Sequence, residues 1–278
     1  MTTASVTRRA GGLAYRTRRP AAARLLASEW TKIRSVRSTV WSLAILVVAA
    51  IGLNTLIVGL GIANWNTTSA ATRHSYLADP TGFLAAALGI AQIPLCVLAV
   101  LVITSEYSTG MIRSSILAVP RRIPMLAAKA AVIGMLAFAA GEVVAFASFL
   151  IAEPIIGHRI PESLGDLSTV RAVTGVGLYL TVVALFAFAI GAIVRHTGGA
   201  ITAVVGLIVV ARTLGGLLPG NAGQHVDAYL PANAGLLITH AHQESTHLLS
   251  PWQGFGVFCL WTAMLLAVAG FLLARRDA

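Results

Sequence analysis

The chain has 278 residues, 57% of them hydrophobic and only 11% charged, with a mean hydropathy of +0.82 and a formal net charge of +10. A globular domain carries roughly 25% charged residues, and a soluble core cannot hide several runs of ~20 uncharged residues, which match the ~30 Å apolar thickness of a bilayer. A soluble protein is therefore excluded, and cations placed between apolar runs fit membrane orientation better than binding of nucleic acid.

In chain order, residues 1–24 are rich in Arg, Ala, Gly and Thr without an apolar period, and read as a disordered basic cytoplasmic tail. The first apolar run, from Val40 to Ala63, is longer than the 7–15 residues of a secretory signal, so it is expected to span the membrane and stay. Before it, "AAARLLASEWTKIRSVRST" repeats Leu26, Trp30, Ile33 and then Val36 or Val40 at helical spacing. A basic amphipathic helix with an aromatic anchor lies in the headgroup plane. Residues 25–38 are accordingly expected as an interfacial helix, with Trp30 as anchor and Lys32, Arg34 and Arg37 as its cations; an unstructured basic flank is the alternative.

Apolar runs at about 40–63, 81–103, 130–152, 172–194, 198–218 and 252–274 predict six spanning helices in a single transmembrane domain, 25–278. Helix is the state that satisfies the backbone in lipid, where an open sheet would leave groups unpaired. The expected fold class is thus an all-α integral membrane protein. Sixteen of the twenty Lys and Arg fall before the first run, between the second and third, between the fourth and fifth, or after the sixth. Cytoplasmic loops hold such an excess, so both termini are expected in the cytoplasm. Cys96 and Cys259 lie inside apolar runs and suggest neither a disulfide framework nor a metal site.

The segment between the second and third runs, "SEYSTGMIRSSILAVPRRIPMLAAKA", is compact and basic. Ser108 is placed to cap a short helix reaching about Val119, with Met111, Ile112, Ile116 and Leu117 on one side. Pro120 would stop that helix and Pro124 suits the first turn of the next. An isolated helix this short is marginal in water, so either the membrane surface or a cytoplasmic protein must support it.

Together with "ASEWTKIRSVRSTVW" and the terminal "LLARRDA", this segment resembles the actinobacterial permease subunits of type-2 ABC exporters, over nearly the whole chain from about residue 25. The resemblance implies a bacterial cell-membrane protein forming half of a transmembrane unit with a second permease, identical or paralogous. It further implies that the loop 104–123 couples to a separate ATP-binding subunit. Glu106, Tyr107, Thr109, Gly110, Met111 and Arg113 would be coupling residues, and ATP and Mg would belong to that partner, with no cofactor in this chain. The chain has no G-x-x-x-x-G-K-[ST] phosphate loop of its own, since neither Lys32 nor Lys129 has that setting.

Three polar residues within the apolar runs stand out: Asn54, expected to bond between helices, Glu142 and Arg212. A mid-bilayer carboxylate costs about 2.5–3.5 kcal/mol and usually faces a protein interior or a water cavity. Glu142 and Arg212 differ in depth by roughly 5–6 Å at 1.5 Å per residue, so they are candidates to pair across spans or between protomers. The alternative is a protonated, packed Glu142 with Arg212 snorkelling outward. The loop 219–251 holds an apolar stretch, "AYLPANAGLLITH", too short to cross and readable as re-entrant. After it, His240, His242, Glu244 and His247 read as a solvated outer loop rather than a zinc site, lacking a carboxylate–His helix motif. An ion- or proton-coupled secondary carrier is the alternative function, although no internal repeat is found. A membrane-embedded enzyme would need clustered catalytic groups such as H-E-x-x-H, which the runs do not contain, so no enzymatic activity is expected in this chain.

Overall fold

A computed structural model describes residues 26–32, 37–79, 81–108, 122–157, 164–210, 220–242 and 248–275. Among them every regular element is a helix. Residues 26–32 form α1. There follow α2 (Arg37–Ala63), α3 (Ala70–Ala78), α4 (Gly82–Ala91), α5 (Ile93–Ser108) and α6 (Arg122–Ile156). The remainder is α7 (Leu167–Val194), α8 (Thr197–Val205) running on as a π turn (Gly206–Val210), α9 (Gly220–Tyr229), α10 (Pro231–Leu236) with a 3-10 turn (Leu237–Thr239), and α11 (Pro251–Arg275).

Helices α2, α6, α7 and α11 are each long and apolar enough to cross a membrane. The pair α4–α5 would make a fifth crossing, bent by 46° at Gln92. The span expected over 81–103 is thus a bent one, and the cause of the bend is Pro94 in the first turn of α5. Its ring has no N–H and clashes with the carbonyl four residues back, which breaks the ladder. Gln92 fills the break, its Oε1 accepting from the Tyr179 hydroxyl at 2.9 Å. The described part of the fifth expected span, Thr197–Val210, is roughly 21 Å long at 1.5 Å per residue, short of a crossing by itself.

Helix α7 is the hub. It packs against α5, α6, α8 and α11, and 78% of its apolar window is buried, against 22% for α2 and for α11. A helix that is apolar all round belongs inside. Tyr179 and Phe186 of α7 meet Phe258 of α11 at ring separations of 5.8 and 5.6 Å. The outer helices show the converse pattern. Trp41, Ile45, Val48, Leu56 and Leu60 of α2, with Leu260, Met264, Val268 and Phe271 of α11, form exposed apolar faces. Such continuous faces, on helices of crossing length, mark a multi-pass membrane protein.

In the loop 219–251, α9 is mostly exposed, whereas the short apolar stretch read as re-entrant is buried. α10 and its 3-10 turn are largely buried and lie between α7 and α11. Two glycines admit them. A Cβ on Gly175 would stand 2.5 Å from the Ile238 carbonyl oxygen, and one on Gly254 would collide with that of Ala234.

Candidate functional site

One end of the bundle carries Ser108, Arg122, Arg195 and Arg275, and is called the basic end below. There α1, α5 and α6 meet on a lysine. Lys129 Nζ donates to Glu29 Oε2 at 2.5 Å and to Glu106 Oε1 at 2.5 Å. Lys129 is 1% exposed, Glu29 3% and Glu106 5%. A second ammonium, Lys32 Nζ, lies 2.9 Å from Glu29 Oε1 and 3.7 Å from Glu106 Oε1, with its side chain 45% exposed. Two carboxylates thus face two ammonium groups, and the cluster is electrically balanced.

Helical periodicity puts these groups there. Met125, Leu126, Val132 and Ile133 are the buried face of α6 near its start, and Lys129 falls on that face. Ile103 and Glu106 lie three apart on the buried side of α5, so the helix continues five residues past the expected end at Ile103. On α1 the buried residue is Glu29, while Trp30 is exposed. A few kcal/mol per ion are needed to take such charges out of water, and they are returned only when each is paired in good geometry.

Burial alone would push the Glu29 carboxyl up, but hydrogen bonds and charge from Lys129 and Lys32 outweigh it and hold the group below its ordinary 4.5. Burial would likewise lower Lys32, yet Glu29 and Glu106 raise it above 10.5. A lowered acid contributes stability above its unfolded value and loses it as pH falls through the folded one; a raised lysine loses its contribution only as pH climbs through its folded value. The contributions of Glu29 and Lys32 are therefore both fully present between about pH 4.5 and 10.5. Thermal unfolding of the wild type should lose stability relative to Glu29→Gln only below pH 4.5. Curves that stay parallel there would show that Glu29 gains nothing from its partners.

A second tie joins α5 to the α7–α8 turn. Arg195 ends α7 in the left-handed region at φ 59°, and its guanidinium stacks 4.9 Å from the centre of the Tyr107 ring. Thr197 Oγ1 donates to Thr104 Oγ1 at 2.9 Å. At the opposite end Asp79, Thr81, Arg171 and His240 form another network. His240 Nδ1 meets Asp79 Oδ2 at 2.5 Å, the Ala241 amide donates to Thr81 Oγ1 at 2.7 Å, and Arg171 donates to the carbonyls of His240 and Ala241 at 2.7 and 2.8 Å. Burial opposes the Asp79 charge, but His240, Thr81 and the His242 amide keep its carboxyl below 3.8.

The expected site residues are distributed as follows. Glu106 and Tyr107 belong to the last turn of α5 rather than to a loop beginning at 104, and Glu106 is buried on Lys129. Ser108 ends α5, its hydroxyl donating to the Ser105 carbonyl at 3.0 Å, and the helix expected after it lies outside the described residues. Thr109, Gly110, Met111 and Arg113 lie outside the described residues, as do Arg34, Arg212, Glu244 and His247. Arg37 begins α2 rather than the interfacial helix. Asn54 is buried and donates to the Ser148 carbonyl at 3.2 Å, joining α2 to α6. Glu142 rests against Gly177 of α7. Among the described residues His, Cys, Asp and Glu side chains form no group of three fit for a metal. Glu29 and Lys129, the heart of the cluster, were passed over in the sequence. Their signals were an acid in a basic segment and one of two lysines among twenty cations.

Compared with known proteins, the chain matches no family model and no curated protein.

Proposed function

We propose that this chain is the transmembrane permease subunit of an ATP-driven exporter of the type-2 ABC class. Its crossings include α2, the bent α4–α5 pair, α6, α7 and α11, with Thr197–Val210 belonging to a sixth. The basic end faces the cytoplasm by the positive-inside rule, α1 lies at the headgroups of the bacterial cell membrane, and residues 109–121 grip a separate ATP-binding subunit. A second permease completes the path.

The observation that carries this reading is the Lys129 cluster. Glu106 stands three residues before the 109–121 segment and Lys129 eight after it, so the segment leaves and re-enters the bundle at one charged knot. Buried ion clusters are poor stabilisers against apolar alternatives, and their best-attested use is to fix register. Here the register is that of α1, α5 and α6. A push on residues 109–121 would then move two spans and the interfacial helix as one body, which is what coupling to a motor requires.

The test is co-purification with candidate ATP-binding subunits. Vanadate-sensitive ATP hydrolysis should appear in the complex alone, and Gly110→Pro should cut transport at least tenfold per ATP hydrolysed while membrane insertion is unchanged. If no ATPase subunit binds, or Gly110→Pro exports normally, the reading fails.

A further inference from the structure

Midway along α6 a carboxylate stands on a face that the other described helices leave open. Glu142 has Phe138 one turn before it and Phe146 one turn after, both exposed, and Met135, Val143 and Leu150 extend the same stripe. Gly177 of α7 makes room for the carboxyl, since a Cβ there would collide with Glu142 Oε1. That oxygen is buried and accepts no hydrogen bond from the described residues. The nearby hydroxyls do not supply one. Thr181 donates to the Gly177 carbonyl at 2.7 Å and Thr174 to that of Val170 at 2.8 Å. At the edge of this face there is thus a half-buried carboxyl in apolar surroundings, one of its oxygens without a hydrogen bond among the described residues.

We propose that this face binds hydrophobic cations: amphiphiles whose protonated amine or delocalised positive charge sits at Glu142 while their apolar body lies on Phe138, Val143 and Phe146. The complement of a carboxylate that has no partner among the described residues is a positive group, and ring faces one turn away on either side attract the same sign through their quadrupoles. A small hydrated ion is disfavoured, because one carboxylate among phenylalanines cannot replace its water shell. Long apolar side chains around the charge suit an organic cation that brings its own greasy surface. As a statement about cargo this rests on the exporter reading; as a statement about binding it stands without it.

The test uses the full chain in nanodiscs with two probes of equal size and opposite charge, tetraphenylphosphonium and tetraphenylborate, each referred to empty nanodiscs. Glu142→Gln should weaken saturable tetraphenylphosphonium binding at least tenfold and leave tetraphenylborate unchanged. Thr181→Lys, which leaves Glu142 in place and puts an ammonium on α7 one turn from Gly177, should do the same and covers the case in which the first variant does not fold. Unaltered tetraphenylphosphonium affinity in the folded variants, or no saturable binding by the wild type, overturns the proposal. So does a loss that tracks a change of oligomeric state, which would assign the face to a second copy. No nucleotide is involved, so this outcome and that of the ATPase test are read independently.

Discussion

Lys129→Met is expected to be among the most damaging single substitutions in the chain. It removes the fully buried ammonium that bonds both Glu29 and Glu106 at 2.5 Å and leaves two buried carboxylates with only the half-exposed Lys32 between them and water. Breaking a buried pair by removing one partner typically costs about 3–5 kcal/mol, a large part of the 5–15 kcal/mol that holds an ordinary domain together. Removing the whole cluster should be far milder, because the desolvation penalty disappears with the charges. The combination Lys129→Met, Glu29→Gln and Glu106→Gln is therefore expected to recover most of the lost thermal stability in detergent. If it unfolds as early as Lys129→Met alone, uncompensated charge is not what makes the lysine important. The same combination separates structure from function. With stability restored but no fixed register between α1, α5 and α6, ATP hydrolysis in the complex should persist while export per ATP falls.

The periodic part of this fold could be read directly. The runs at 40–63, 130–152, 172–194 and 252–274 lie inside α2, α6, α7 and α11, because a lipid-length apolar stretch has one way to satisfy its backbone. What could not be read was anything set by contacts distant in sequence. Glu29 and Lys129 are 100 residues apart, and only their meeting makes Glu29 the buried residue of α1 and turns Trp30 outward. Glu106 reads as a loop residue in the sequence for the same reason, since its counterion comes from another helix. Pro94 is a different case. The break at Gln92 follows from a local rule, and the apolar run around it concealed the signal. The packing of α10 was legible only as an apolar stretch too short to cross, because Gly175 and Gly254, which admit it, reveal their role only against the backbone they touch.

The glycines give the second large effect, and it is a ranking. α6 and α7 cross where a Cβ on Gly141 would stand 2.7 Å from the Gly177 Cα, and both atoms belong to backbone that cannot rotate away. Gly175 meets the Ile238 carbonyl at 2.5 Å in the same manner. Overpacking a close contact typically costs about 1–3 kcal/mol, and rigid neighbours put a site at the upper end. Gly141→Ala and Gly175→Ala should therefore lower thermal stability by about 2–3 kcal/mol each. Gly134 lies on the same α6–α7 seam, but its Cβ would rest 3.6 Å from Leu185, an ordinary contact, so Gly134→Ala should be nearly neutral. Gly52 and Gly59 of α2 have nothing within 4 Å, and alanine there should be neutral or gain up to about 1 kcal/mol from helix propensity. Unfolding curves of the five variants in one detergent decide the matter; equal losses at Gly141 and Gly52 would mean that the helices do not cross at Gly177. Because Gly177 also makes room for Glu142, opening that crossing should disturb the carboxylate face as well. Gly141→Ala is then expected to weaken tetraphenylphosphonium binding, and Gly52→Ala to leave it intact.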